Sequence, residues 1–408
     1  MRRLRSLFTL FLLVTLAACD SGPGSSLYDP GAADGDAPVI ASVSPNGIVL
    51  AGVDEITIEG QHFSSTASDN LVFFDDGAGN VAKGTVLSAT ETQLRVKVPN
   101  LANTALRLRV AVSGAANFSN EVPFPLTPAF VQFGALDSGV LEEVFAMTPD
   151  GAGGVLASLL SNGSSAGIVR FAADGSRSPY FASPNTWSGL TRGLDGMLYG
   201  VRRLRAAFRL PEGGRQQTLV GLGTSVSLSK IVTGPTGDLY AAGSSTDPAT
   251  AAIYRITTTG ESTPTPFPNP VTALVVHDRD LYVGTTTSSE SQVLRFPISE
   301  AGDLGTPELV YDLTADVGAN FSVTALAIAA DGTMYVGSDA PNPIIEVMPD
   351  GTSAPLYPGV LHPPVASFAW GEGSSLYVAN ASIPPLVAGG PTTPAALYRL
   401  ETRRQGPL

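Results

Sequence analysis

Leu239-Tyr240-Ala241 and Leu281-Tyr282-Val283 are two copies of a strand that recurs six times in this chain, and their spacing decides the fold. The other copies are Val155-Leu156-Ala157, Leu198-Tyr199-Gly200, Met334-Tyr335-Val336 and Leu376-Tyr377-Val378. Counted from Leu156, the intervals are 42, 41, 42, 53 and 42 residues. A second strand follows each copy, with a basic residue at a fixed place: Arg170, Arg209, Arg255, Arg295 and Arg399, with Glu346 as the exception in the fifth. A period of roughly 40 residues holds the four short strands of one β-propeller blade. Six periods predict six blades.

The last copy ends soon after Arg399 and has no outer strand of its own. Phe130-Val131-Gln132-Phe133 has no other partner, so residues 129–135 are expected to complete blade six, closing the ring and removing its open edge. The long fourth interval predicts an insertion around Ser299 to Gly305.

Working outward from the ring, residues 38–126 carry short strands of alternating polarity, such as Glu55-Ile56-Thr57-Ile58 and Gln93-Leu94-Arg95-Val96-Lys97-Val98. About seven such strands in ninety residues read as an immunoglobulin-like sandwich. The segment also resembles the IPT/TIG family. Ser42-Val43-Ser44-Pro45, then Ile56-Thr57-Ile58-Glu59-Gly60-Gln61-His62-Phe63, Val72-Phe73-Phe74, Val98-Pro99 and Ser119-Asn120 carry the likeness. The resemblance implies that Gly60 makes a turn with Phe63 packed beneath it. His62 stands where the family often has Asn, and it reads as a turn residue in preference to a metal ligand, since no second ligand lies nearby.

Cys19 is the single cysteine, so the chain has no internal disulfide. It follows Arg2, Arg3 and Arg5, an apolar run from Leu7 to Leu16, and the small residues Ala17 and Ala18. The run is short for a bilayer span and has signal-peptide length. Together these residues resemble a bacterial lipoprotein signal, which implies removal of 1–18, acylation of Cys19 and a membrane anchor on the extracytoplasmic side. Asp20 resembles an inner-membrane retention signal of enterobacterial lipoproteins, but lineages differ in it, so inner or outer membrane stays open. Residues 19–37, rich in Gly, Ser, Asp and Ala, read as a flexible linker, and 127–408 as the propeller.

The chain has a net charge of −13, and loss of residues 1–18 leaves 20 Lys+Arg against 36 Asp+Glu. Such a surface repels phosphate backbones, so nucleic acid is excluded as an expected partner. The basic residues are mostly Arg. Lysine occurs only at 83, 97 and 230, which leaves little scope for lysine chemistry.

Asp-Gly pairs at 150–151, 195–196 and 331–332 precede the Leu-Tyr strands, and others at 174–175 and 350–351 follow the Arg strands. These turns resemble NHL-type and gluconolactonase-type propellers, and the lactonases among them imply a calcium site where inner strands enter the tunnel. Aligning the inner strands puts Glu143, Ser188, Ser229, Thr272, Thr324 and Ala366 at that ring. One carboxylate there, with Glu142 beside it, falls short of the several oxygens that calcium takes. No cofactor, metal site or catalytic set is expected, and Glu143 is the nearest candidate for a metal ligand. Trp187, His277, His362 and Trp370 are candidate ligand-binding residues, and His277, His362 and Glu143 could share one face of the ring. The expected function is binding or scaffolding outside the cytoplasm, toward a protein, peptide or glycan. The alternative is a calcium-dependent lactonase-like hydrolase at the tunnel mouth.

Overall fold

A computed structural model describes residues 35–359, 361–383 and 392–407. The leader, Cys19 and nearly all of the linker assigned above lie outside the described residues. Two compact units divide the chain between Thr127 and Pro128. Among the described residues no helix is long and apolar enough to cross a membrane.

The first unit is a sandwich of seven antiparallel strands in the order Val39–Ser44, Glu55–Gln61, Gln93–Lys97, Val81–Ala89, Asn70–Asp75, Arg107–Val112 and Val122–Pro123. The long central strand belongs to both halves. Its first part, up to Gly84, pairs with Asn70–Asp75 and its second, from Thr85, with Gln93–Lys97, where a register shift falls between Val86 and Ser88. That shift bends the sheet over a core in which Ile56, Ile58, Leu94 and Val96 meet Val72, Phe74, Leu108 and Val110. The alternate residues Arg95 and Arg107 stay outside and pair with Glu55 and Glu121.

Gly60 does not make the turn. It lies within a strand, where an added Cβ would sit 2.0 Å from the Val39 carbonyl and 2.5 Å from the Phe63 ring. The turn residue is His62, with φ of 60°, in the left-handed region that Asn tolerates best among side-chain-bearing residues. Its Nδ1 lies 3.0 Å from the Ala37 carbonyl. The Asn120 amide donates to the Ile40 carbonyl and accepts the Ile40 N–H, pinning the first strand at its bulge.

The second unit is a ring of six four-stranded antiparallel blades. Inner strands are Glu143–Pro149, Gly189–Arg192, Val226–Thr233, Val271–His277, Val323–Ile328 and Val365–Trp370. Phe130–Gln132 pairs with Ala396–Glu401 and supplies the outer strand of blade six. Phe133, just beyond, is buried with its ring centroid 4.2 Å from that of Tyr377.

The repeated residues hold the end of the ring where inner strands turn into second strands, called here the turn end. Asp150, Asp195 and Asp331 accept backbone N–H groups two residues on, and the following glycines take φ of +78°, +76° and +85°. Tyr199, Tyr240, Tyr335 and Tyr377 are fully buried, so each hydroxyl needs a partner. Tyr240 donates to the Gly302 carbonyl at 2.6 Å and Tyr377 to the Gly153 carbonyl at 2.7 Å. Burial pushes the Tyr240 hydroxyl up to about 12, so it stays a donor.

The extra length in blade four is shared between two places: the loop before Glu308–Asp312, and a short helix at Leu313–Asp316 with the segment after it. The loop reaches back to blade three. Its Gly302 holds Tyr240, and its Asp303 pairs with Arg255, which also binds Asp238 at 2.8 Å. The exception at Glu346 is matched by a reversal of charge. Arg404, in the C-terminal tail, donates to Glu346 at 2.9 Å and also pairs with Asp331.

Candidate functional site

At the opposite end of the ring, where inner strands begin, lies a cavity of about 710 Å³. All six ring positions, Glu143, Ser188, Ser229, Thr272, Thr324 and Ala366, stand on its wall. Beyond them along the inner strands the tunnel narrows to about 80 Å³ among Leu190, Leu274, Leu326 and Phe368. The mouth is therefore a cup whose floor mixes these apolar side chains with Lys230, Thr324 and Ser367.

Its wall is made by register shifts. Five of the six inner strands carry one near their start: at Val144/Ala146, Leu228/Lys230, Val271/Ala273, Val323/Ala325 and Val365/Ser367. A bulge turns consecutive residues toward one side, which strict alternation forbids. In blade three this brings both Ser229 and Lys230 to the cavity. Gly243, opposite that bulge, leaves the room for it, because a Cβ there would lie 2.1 Å from the Ser227 carbonyl. Eight hydroxyl side chains line the cup: Ser188, Ser227, Ser229, Ser244, Thr272, Thr286, Ser322 and Thr324.

Three charged residues share this wall, Glu143, Lys230 and Arg203. Glu143 accepts a hydrogen bond from the Ser382 hydroxyl. Lys230 is half-buried, and desolvation with the nearby Arg203 guanidinium holds its ammonium down at about 8. Arg203 is exposed, in a left-handed turn with φ of 55°. Its backbone N–H donates to the Leu228 carbonyl at 2.7 Å, and the Leu228 N–H donates to Leu204, so blade three's inner strand fixes this loop beside Lys230.

The other candidates fall elsewhere. Glu142 is buried and takes two bonds of 2.9 Å from Arg177, which with the Asp137 N–H hold its carboxyl below the usual carboxylate range. It is a clip within blade one. Trp187 is completely buried in the core between Phe181 and Phe208, with Arg202 over its ring. Its indole N–H has no partner among the described residues. Trp370 ends its inner strand at the turn end, against Tyr335 and the tail residue Gly406.

His277 closes its inner strand, five residues beyond Thr272 and so roughly 16 Å from the ring by strand rise. It belongs to the turn end and cannot share a face with Glu143, which corrects the expected grouping. His362 is at the mouth end: its loop leads into Pro364 and Val365 on the wall, its carbonyl accepts the Asn380 amide, and its Nδ1 lies 3.1 Å from the Pro363 carbonyl. Lys230 was missed by reasoning from composition. Its signal was the Ser-Lys pair at a ring position, legible only with the bulge in hand.

The class that fold and site define is a sandwich joined to a six-bladed propeller with a hydroxyl-lined cup at one end of its tunnel. Residues 38–125 match the IPT/TIG domain model, so this part of the chain is an IPT/TIG domain. No curated protein matches the chain. Among solved structures, an auxiliary nutrient binding protein from Bacteroides thetaiotaomicron is 11% identical with a TM-score of 0.52, over 91% of this chain and 98% of its own. A luciferin-regenerating enzyme is 11% identical with a TM-score of 0.51, over 67% of this chain and 94% of its own. A gluconolactonase from Xanthomonas campestris is 14% identical with a TM-score of 0.48, over 66% of this chain and 87% of its own. At these identities the likeness is one of fold.

Proposed function

We propose that this chain is a lipid-anchored, extracytoplasmic binding protein whose propeller mouth takes a small polyhydroxylated ligand of the glycan type. The observation that carries the reading is the cup of about 710 Å³ ringed by eight hydroxyls. Its volume falls in the range of small-molecule sites. Hydroxyl side chains both donate and accept, as a sugar's own hydroxyls require. The nutrient binding protein of like architecture supports a binding role at the level of fold.

The hydrolase reading would need the mouth to hold calcium. Among the described residues Glu143 is the one carboxylate on that wall, and no group of three His, Cys, Asp or Glu could hold a metal. A thermal-shift screen separates the two readings, since a ligand of the native state raises its stability. Mono- and oligosaccharides are expected to raise the melting temperature and calcium to leave it unchanged. Stabilisation by calcium, lost in Glu143→Gln, would favour the hydrolase. For the anchor, Cys19→Ser should move the protein out of the membrane fraction, and retention of that variant in high salt would contradict it.

A further inference from the structure

Two cations stand on the wall of the cup while the protein as a whole carries −13. Elsewhere in the propeller, strand arginines such as Arg170, Arg255 and Arg295 are paired with carboxylates. Among the described residues neither the Lys230 ammonium nor the Arg203 guanidinium has a hydrogen-bond or ion-pair partner. They come from adjacent blades, and the loop bearing Arg203 is bonded to the strand bearing Lys230. The remaining charge on the wall is Glu143, from blade one, engaged with Ser382. The inner strands packed on either side of Lys230 bring Ser188 and Gly189 from blade two and Thr272 and Ala273 from blade four, none of them titratable.

Two like charges brought together with no carboxylate bonded to either raise the energy of the empty site, and a bound anion relieves it. We propose that the cup is an acidic-sugar site, in which Lys230 and Arg203 together take the ligand's carboxylate and the ring hydroxyls take its hydroxyls. The proposal rests on the binding reading above and names the ligand class for it. A planar guanidinium beside an ammonium suits a carboxylate. Because the anion stabilises the charged form of Lys230, affinity holds below about pH 8 and declines as the free site loses that proton.

The test is isothermal titration calorimetry on the full chain with galacturonate, its methyl ester and inorganic phosphate. Galacturonate is expected to bind at least tenfold more tightly than the ester, Lys230→Met to remove that preference, and Lys230→Arg to keep most of it. Arg203→Gln, a change at an exposed side chain, should reduce the preference severalfold, and it covers the case in which the lysine variant fails to fold. Equal binding of acid and ester overturns the carboxylate assignment and leaves the sugar-binding reading standing. Tighter binding of phosphate than of galacturonate also overturns it, in favour of a phosphorylated ligand. Absence of binding by any of the three overturns both.

Discussion

The two ends of the propeller tunnel are built from the same six strands and treat charge in opposite ways. At the turn end, Arg170, Arg255 and Arg404 each meet one or two carboxylates, and the buried tyrosine hydroxyls are matched to acceptors. At the mouth, Lys230 and Arg203 have no such partner among the described residues. Satisfied charges lock blades together, and a cation held without a counter-ion destabilises the fold unless something else supplies one. On the proposed reading, the contrast separates a structural end from a binding end.

The comparison breaks first if ring closure is not where the stability lies. Phe133 is buried against Tyr377 and Phe171, so Phe133→Ala should cost about 3–5 kcal/mol in denaturant unfolding. A loss below about 1 kcal/mol would mean that the outer strand of blade six is dispensable. A smaller effect is expected at the tail. Arg404→Ala leaves the half-buried Glu346 without its cation and should cost on the order of 2 kcal/mol, as read from the same unfolding curves.

At the mouth the sign reverses. Lys230 is charged at pH 7 in both folded and unfolded chains, and only the folded state bears its desolvation, so Lys230→Met should raise stability by on the order of 1–3 kcal/mol. Between about 8 and the ordinary lysine range, the folded protein loses this proton before the unfolded one does. Wild-type stability therefore rises with pH there, and the variant's advantage shrinks. Melting temperatures of both proteins across that window check the sign. The smallest effect belongs to Arg203→Gln, which should leave stability within about 0.5 kcal/mol, because the side chain is exposed and makes no bond among the described residues.

The period of the Leu-Tyr strands made the ring legible from the sequence, since four of the six copies bury their tyrosine beside the turn. The ring of six mouth residues was legible too, by counting back along aligned inner strands. What counting misses is a bulge. Alternation from Ser229 turns Lys230 outward, whereas the shift between Leu228 and Lys230 brings both to the cup. Position along a strand was the second hidden quantity, and it separates His277 from Glu143 by most of the tunnel's length. The third was partner identity. Glu346 looks like a lapse in the repeat until Arg404, far off in sequence, supplies the missing cation. In the sandwich, His62 takes the turn expected of it, while Gly60, expected in a turn, serves instead the close approach of Val39 and Phe63.

The protein has three lysines, at 83, 97 and 230, so a chain labelled with carbon-13 at the lysine ε position gives three signals in one spectrum. An NMR titration of that chain tests the central claim directly. One signal, removed by Lys230→Met, should titrate near pH 8, and it alone should move when galacturonate is added. Three signals that titrate together in the ordinary lysine range, with none moved by the sugar acid, would contradict the account of an unpaired cation waiting at the mouth.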